Sequence, residues 1–270
     1  MSDITELIDH KHNQIIKLDR KLSEIGIKIR KDENSKKVKD DVFDEVTLLS
    51  LYKLANKKII SAIGGSISTG KEANVFLADG NDKYPHVAVK IYRLRTGNFT
   101  TMTEYIVGDP RFSNIRHTHK DIVFAWTKKE YSNLSRVKKA GILCPTPLDF
   151  NRNILIMEYM GENGIPYPQL RQKLPKDPLE SYQDAINLIS DLYNKAHIVH
   201  GDLSEYNLLT KDEDLVVIDM GQSIAIEHPK SYEYMIRDIK NINRFFADKC
   251  KITNEQDIFR DIVGEKFFEI

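Results

Sequence analysis

Cysteine is nearly absent from this sequence: of 270 residues only Cys144 and Cys250 carry a thiol. Two thiols are too few for a disulfide framework in a chain of this length, and the scarcity suits a reducing compartment, so a cytoplasmic location is expected. Net charge is absent too, because 40 Lys and Arg balance 40 Asp and Glu. A nucleic acid or a membrane surface would therefore have to be met by a local patch. No apolar run approaches the roughly 20 residues that cross a bilayer, and the N-terminal M-S-D-I-T-E-L-I-D-H-K is broken by charge every few residues. Neither a secreted nor a membrane-spanning protein is expected. There is no fixed-period repeat and no low-complexity tract. What is there is ordinary globular texture, 41% hydrophobic and 30% charged, at a length that suits one two-lobed domain or two small ones.

Ile4, Leu7, Ile8, Ile15, Leu18, Leu22 and Ile25 recur at mostly helical spacing, and residues 30–41 form a solvated charge run. A second helix is expected from Asp44 through Leu54 on Val46, Leu49, Leu51 and Leu54, closed by Asn56. Residues 1–58 thus read as accessory helices and a charged connector. From residue 59 the texture changes to short β-branched runs separated by Gly, Asn and Asp, which predicts an antiparallel meander. Residues 94–120 show no clean period and read as a mobile or functional loop. Helical spacing resumes over 122–139, Gly141 stops it, and Pro145 and Pro147 lead into a strand pair ending at N-I-L-I-M-E-Y-M-G. The second half is mostly helical, with a polar loop at 200–207 and two short apolar strands after it. The expected class is α+β, a β-rich lobe over 59–160 followed by an α-rich lobe over 161–270.

Two segments carry chemistry: V-H-G-D-L-S-E-Y-N-L-L at 199–209 and L-V-V-I-D-M-G at 215–221. Protein kinases use a loop of the form H-R-D-x-x-x-x-N and a second Asp just after a strand pair. Asp202 and Asn207 keep that spacing, and Asp219 opens Asp-Met-Gly. A carboxylate must sit near the attacking hydroxyl, while an amide oxygen and a second carboxylate suit a magnesium ion on nucleotide phosphates. Turn-forming roles for the same residues are the plain alternative. Lys90, in H-V-A-V-K-I-Y, fits the strand lysine that grips phosphates, or it is simply solvated; Glu130, set among Val123, Trp126, Leu134 and Val137, is its candidate partner. G-S-I-S-T-G-K-E at 65–72 nearly matches a Walker P-loop, but Glu72 stands where a magnesium-binding hydroxyl belongs, and a strand-like A-N-V-F-L-A follows instead of a helix. A hairpin over 68–74, covering phosphate with its backbone amides and with Gly70 allowing close approach, suits the residues better.

S-T-G-K-E-A-N-V-F, the long T-G-N-F-T-T-M-T-E-Y-I-V-G-D-P-R-F, H-G-D-L-S-E-Y-N-L-L and I-D-M-G-Q-S together resemble the RIO family of atypical serine/threonine protein kinases, type-one subgroup, in its compact archaeal form. The resemblance implies a two-lobed protein-kinase-like fold and an ATP- and magnesium-dependent kinase, manganese being the alternative metal. It makes Asp202 the catalytic base, Asn207 and Asp219 metal ligands, and Lys90 and Glu130 a phosphate-positioning pair. Ser68, Thr69, Gly70 and Lys71 would cover the nucleotide, and Glu158 to Met160 would form the adenine hinge. It also implies autophosphorylation, work in small ribosomal subunit maturation, and an aspartyl-phosphate on Asp219 during ATP turnover. The same residues would serve an ATPase switch on pre-ribosomal particles, and H-G-D-x-x-x-x-N occurs in small-molecule phosphotransferases as well, against which the S-T-G-K-E-A-N loop argues. Neither the usual Gly-rich loop nor room for an activation loop is present, so control by activation-loop phosphorylation is not expected. Arg93, Arg95, Arg111, Arg116 and Lys120, interleaved with Phe99, Tyr105, Phe112, His117 and His119, offer a surface for ribosomal RNA or only a solvated loop.

Overall fold

A computed structural model describes residues 20, 28–29, 43–95, 99–112, 115, 118–175 and 177–264. The N-terminal helix expected before residue 26, the charge run at 30–41, and Arg116 and His117 lie outside the described residues. The chain divides into two compact units.

The first unit comprises Met1–Phe99, Arg116–Lys128 and Pro147–Gly164. Its centre is a six-stranded sheet of β1 (Lys28–Ile29), β2 (Ala62–Thr69), β3 (Ala73–Asp79), β4 (His86–Tyr92), β5 (Pro147–Asn151) and β6 (Ile154–Glu158), in the order β1-β2-β3-β4-β6-β5. β1 runs parallel to β2, and the other five strands pair antiparallel. Alternation and the turn residues Gly80 and Asn81 dictate the meander: the Gly80 amide donates to Pro85 and the Asn81 side chain accepts from Lys83 and Tyr84, closing the β3–β4 hairpin.

Helix α1 (Glu45–Ala55) begins where Asp44 accepts the Thr47 amide at 2.9 Å and ends at Asn56. Its buried face differs from the expected one. Thr47, Leu48, Ser50, Leu51, Leu54 and Ala55 are buried, whereas Val46 and Leu49 are half-buried. Two polar residues join that face because each has a partner: the Ser50 hydroxyl donates to the Val46 carbonyl, and Thr47 Oγ1 accepts from Asn153 Nδ2 at 2.8 Å. Leu48, Leu51 and Leu54 share one core with Ile63, Phe76, Val87, Val89, Ile91, Ile154 and Ile156 of the sheet. The helix therefore closes one face of the sheet.

The second unit comprises Thr100–Ile115, Lys129–Thr146 and Ile165–Ile270. Within the stretch 94–120, expected to be a loop, the chain forms helix α2 (Phe99–Ile106) and a 3-10 turn at Pro110–Phe112. Three threonines among its eight residues lower helix propensity and mask the period, but Met102, Tyr105 and Ile106 are buried, and that burial holds the turns. Helix α3 (His119–Lys139) contributes its second half here. Helix α4 (Pro178–Asn194), capped by Asp177, packs on α5 (Ser231–Phe246), which packs on α6 (Glu255–Val263). Two short antiparallel pairs complete the unit: β7 (Ile198–Val199) with β10 (Ile224–Ala225), and β8 (Leu208–Lys211) with β9 (Asp214–Val217). No described helix is long and apolar enough to cross a membrane.

Truncating a leucine on the α1 face tests its place in the core. Leu51→Ala is expected to lower unfolding free energy by about 3 kcal/mol, as measured by urea denaturation. A loss under about 1 kcal/mol would mean that the helix shares no core with the sheet.

Candidate active site

The candidate residues fall in both units. In the first, Gly70 and Ala73 close the β2–β3 hairpin through a 2.9 Å bond from the Gly70 amide to the Ala73 carbonyl. Ser68, Thr69, Gly70 and Lys71 sit exposed at its tip, and a side chain on Gly70 would press the Ala73 carbonyl at 3.1 Å. A strand, not a helix, follows the loop, so the P-loop alternative fails on geometry as well as on Glu72. Asn74, passed over in the sequence, and Arg93, read there as part of an RNA-facing surface, hold this loop from behind. Asn74, fully buried, accepts from Arg93 Nη2 at 3.1 Å, and the Arg93 amide donates to the Glu72 carbonyl at 2.9 Å.

Lys90 sits mid-strand on β4, opposite Val75 of β3 and Leu155 of β6. It is 6% exposed, and Ala88 and Tyr92 on the same face are buried as well, so the solvated alternative is excluded. A buried ammonium is expensive to keep without a purpose. Glu158 ends β6 opposite Val87, and Tyr159 and Met160 leave the sheet after it.

In the second unit short bonds tie Asn207 to Asp202 and to Ile218, the residue before Asp219. Asn207 Nδ2 donates to the Asp202 carbonyl at 2.9 Å, and the Ile218 amide donates to the Asn207 carbonyl at 3.0 Å. The Asn207 nitrogen is thereby committed, which leaves its amide oxygen as the atom offered to a cation. Asp219 adopts φ of +61°, a left-handed conformation that few residues other than glycine tolerate. It persists because the turn after it is clamped by helix α3. Lys129 Nζ donates to the Gly221 and Ser223 carbonyls at 2.9 and 2.5 Å, and Asn133 Nδ2 donates to the Met220 and Ser223 carbonyls at 2.9 and 2.8 Å. Lys129 is fully buried, and burial brings its pKa down to about 7. Glu130, next to it, is fully buried too.

The catalytic-type loop hangs from one carboxylate. Asp238 of α5 accepts the Gly201 amide on Oδ2 and the Leu203 amide on Oδ1, each at 2.8 Å, and burial raises its pKa to about 7. Its neighbour Arg237 donates to the Gly201 carbonyl and, at 2.8 Å, to the Tyr105 hydroxyl of α2. Gly201 has φ of +79°, and a side chain there would meet the Gln222 carbonyl at 3.2 Å, so the Arg of the usual H-R-D would be strained here. His200, 1% exposed, has Nε2 at 3.1 Å from the Ile218 carbonyl and accepts the Asp202 amide on Nδ1 at 3.3 Å. That pair fixes the Nε2–H tautomer, and burial lowers the pKa to about 4. Asp202 itself is held above the usual carboxylate range by burial and by Asp219.

Of the residues read as an RNA-facing loop, Tyr105 and Phe112 are buried, and Arg111 is committed to Asp109 and to Asn133 Oδ1 at 2.9 Å. Arg95, His119 and Lys120 remain exposed.

A family model described as the RIO domain matches residues 74–258. The chain belongs to the RIO family. Relatives named RIO-type serine/threonine-protein kinase Rio1 are 40% identical in Haloferax volcanii, covering 92% of this chain and 84% of the relative, and 37% identical in Methanocaldococcus jannaschii, covering 98% and 90%. The solved Rio2 kinase of Chaetomium thermophilum in an ADP/Mg2+-phosphoaspartate complex superposes with a TM-score of 0.62 at 23% identity, over 81% of this chain and 67% of that one. That likeness bears out the kinase-like α+β fold.

His200 and Asp238 push pH dependence in opposite directions. The unfolded chain protonates His200 near 6.5 and the folded one near 4, so its contribution to stability falls as pH drops through that window. Asp238 has its folded pKa raised, so its contribution falls as pH rises from about 4 toward 7. Asp238→Asn leaves the histidine slope unopposed. The variant is expected to lose stability between pH 6.5 and 4.5 more steeply than wild type in urea titrations, and equal slopes would refute the assignment.

Proposed function

We propose that this RIO-family chain is an ATP- and magnesium-dependent protein serine/threonine kinase that phosphorylates serine, including its own, and acts on pre-ribosomal small subunits in the cytoplasm. The observation that carries the reading is that Asn207 is bonded to the Asp202 carbonyl and to the amide of Ile218, the residue before Asp219, and that the Asp219 charge is felt at the Asp202 carboxyl. The Asn207 amide oxygen and the Asp219 carboxylate fit a hard divalent cation such as magnesium. Bound there with ATP, the ion would neutralise charge on the phosphates.

The chain's own residues divide the remaining work. Asp202 would accept the proton of the attacking serine hydroxyl, and its raised pKa makes it a better base than an exposed aspartate. Lys90 is assigned the nucleotide phosphates and Glu130 the support of that lysine, on family resemblance. The Ser68, Thr69, Gly70 and Lys71 loop is assigned to phosphate cover, and Glu158 and Met160 to the adenine. The ribosomal role likewise rests on resemblance.

A second reading is favoured by the phosphoaspartate in the Rio2 complex. Here the Asp219 carboxylate attacks the γ-phosphorus, ADP leaves, and water hydrolyses the acyl-phosphate to free phosphate, so that the cycle times release from a pre-ribosomal particle. The strained backbone of Asp219 is compatible with such a nucleophile.

Incubation with γ-labelled ATP and magnesium separates the readings. Acid-stable label on serine, lost at least a hundredfold in Asp202→Ala, is the expected result for the kinase. Free phosphate, with protein label confined to an alkali-labile acyl-phosphate that disappears in Asp219→Asn, would replace it by the ATPase switch.

A further inference from the structure

Gln222 lies three residues past Asp219 and has no assigned part in the chemistry above. Its side-chain Nε2 is 3.0 Å from Asp202 Oδ2. An ionised carboxylate only accepts, so the amide must present its NH2 group to Asp202 and turn its oxygen away. Oδ2 of the base is thus engaged by Gln222.

The donor is itself immobilised. The carbonyls on either side of it, those of Gly221 and Ser223, are both taken by Lys129 Nζ, and that of Ser223 by Asn133 as well. The Gln222 carbonyl in turn abuts Gly201, where even a Cβ would come within 3.2 Å. From the other side, the Asp202 backbone is fixed by its amide to His200 and its carbonyl to Asn207, and the Asn207 side chain also lies within hydrogen-bonding reach of the carboxyl group. The backbone bonds set the position of its Cα, and the orientation of the carboxylate is left to side-chain partners. Gln222 supplies the 3.0 Å bond that ties Oδ2 to the clamped turn.

We infer that Gln222 is a positioning residue for phosphoryl transfer, locking the Asp202 carboxylate so that it meets the proton of the attacking hydroxyl or water. The inference rests on the reading of Asp202 as the base. It also joins two parts of the site: the turn that carries Asp219 and the orientation of the base cannot vary independently. A misplaced base loses rate without losing nucleotide, because the reacting geometry and not ground-state binding depends on it.

The test is steady-state γ-phosphate transfer from ATP, counting protein label plus free phosphate, on the full chain. Gln222→Met keeps the length of the side chain and removes the donor, and Gln222→Ala removes both. Both variants are expected to lower kcat about tenfold, with the KM for ATP and the Kd of ADP within twofold of wild type and an unchanged melting temperature. Wild-type kcat in Gln222→Met overturns the inference, as does a loss carried by KM or by melting temperature, which would mark nucleotide binding or packing instead. Asp202→Ala is run alongside. If it keeps wild-type turnover, the reading of Asp202 falls and this inference with it. An inactive Asp202→Ala beside a normal Gln222→Met sinks the inference alone.

Discussion

The second unit depends on the grip of the Asp238 carboxylate on two backbone amides. Residues 200–207 form a polar loop, and such a loop carries peptide donors that cost several kcal/mol each if buried without partners. Asp238 satisfies those of Gly201 and Leu203 with one side chain, while Asn241, one turn along, donates to the Leu203 carbonyl at 3.1 Å. Helix α5 can supply these groups because its buried stripe, Tyr234, Met235, Ile239 and Ile242, anchors it rigidly beneath the loop. The geometry of Asp202 and Asn207 is therefore inherited from a helix more than thirty residues downstream.

A second clamp works from the opposite direction in the chain. Lys129 and Asn133 lie one turn apart on α3 and reach four carbonyl contacts on the turn that follows Asp219. Burying an amine for this purpose is costly, which is why its proton is held so much less tightly than that of a surface lysine. The strain at Asp219 and the expense at Lys129 belong to one arrangement, with backbone oxygens turned inward and a carboxylate turned outward.

Much of this could be read from the residues. The strand meander, the H-G-D loop, Asp219 and the limits of α1 follow from alternation, spacing and capping, all of which are local. Less local features escaped. Leu48 rather than Val46 faces the core because Thr47 and Ser50 are satisfied by a distant Asn153 and a nearby carbonyl, and no sequence window contains that pairing. Helix α2 hides behind three threonines. Asp238, Lys129 and Asn133 look like the ordinary polar residues of amphipathic helices; the available signal was Asp238 falling in line with Tyr234, Ile242 and Phe246, on the stripe where charge should not be. Gln222 appeared only as a letter in I-D-M-G-Q-S.

The glycine at 201 has a wider consequence. In kinases that carry arginine at this point, the guanidinium can answer a phosphate placed on an activation loop, which is how ordering is switched. Here the guanidinium comes from Arg237 and is already engaged by a carbonyl and a phenol inside the fold. A cation spent on its own scaffold cannot also serve as a phosphate sensor. The conformation of the loop is thus set by contacts made within the fold.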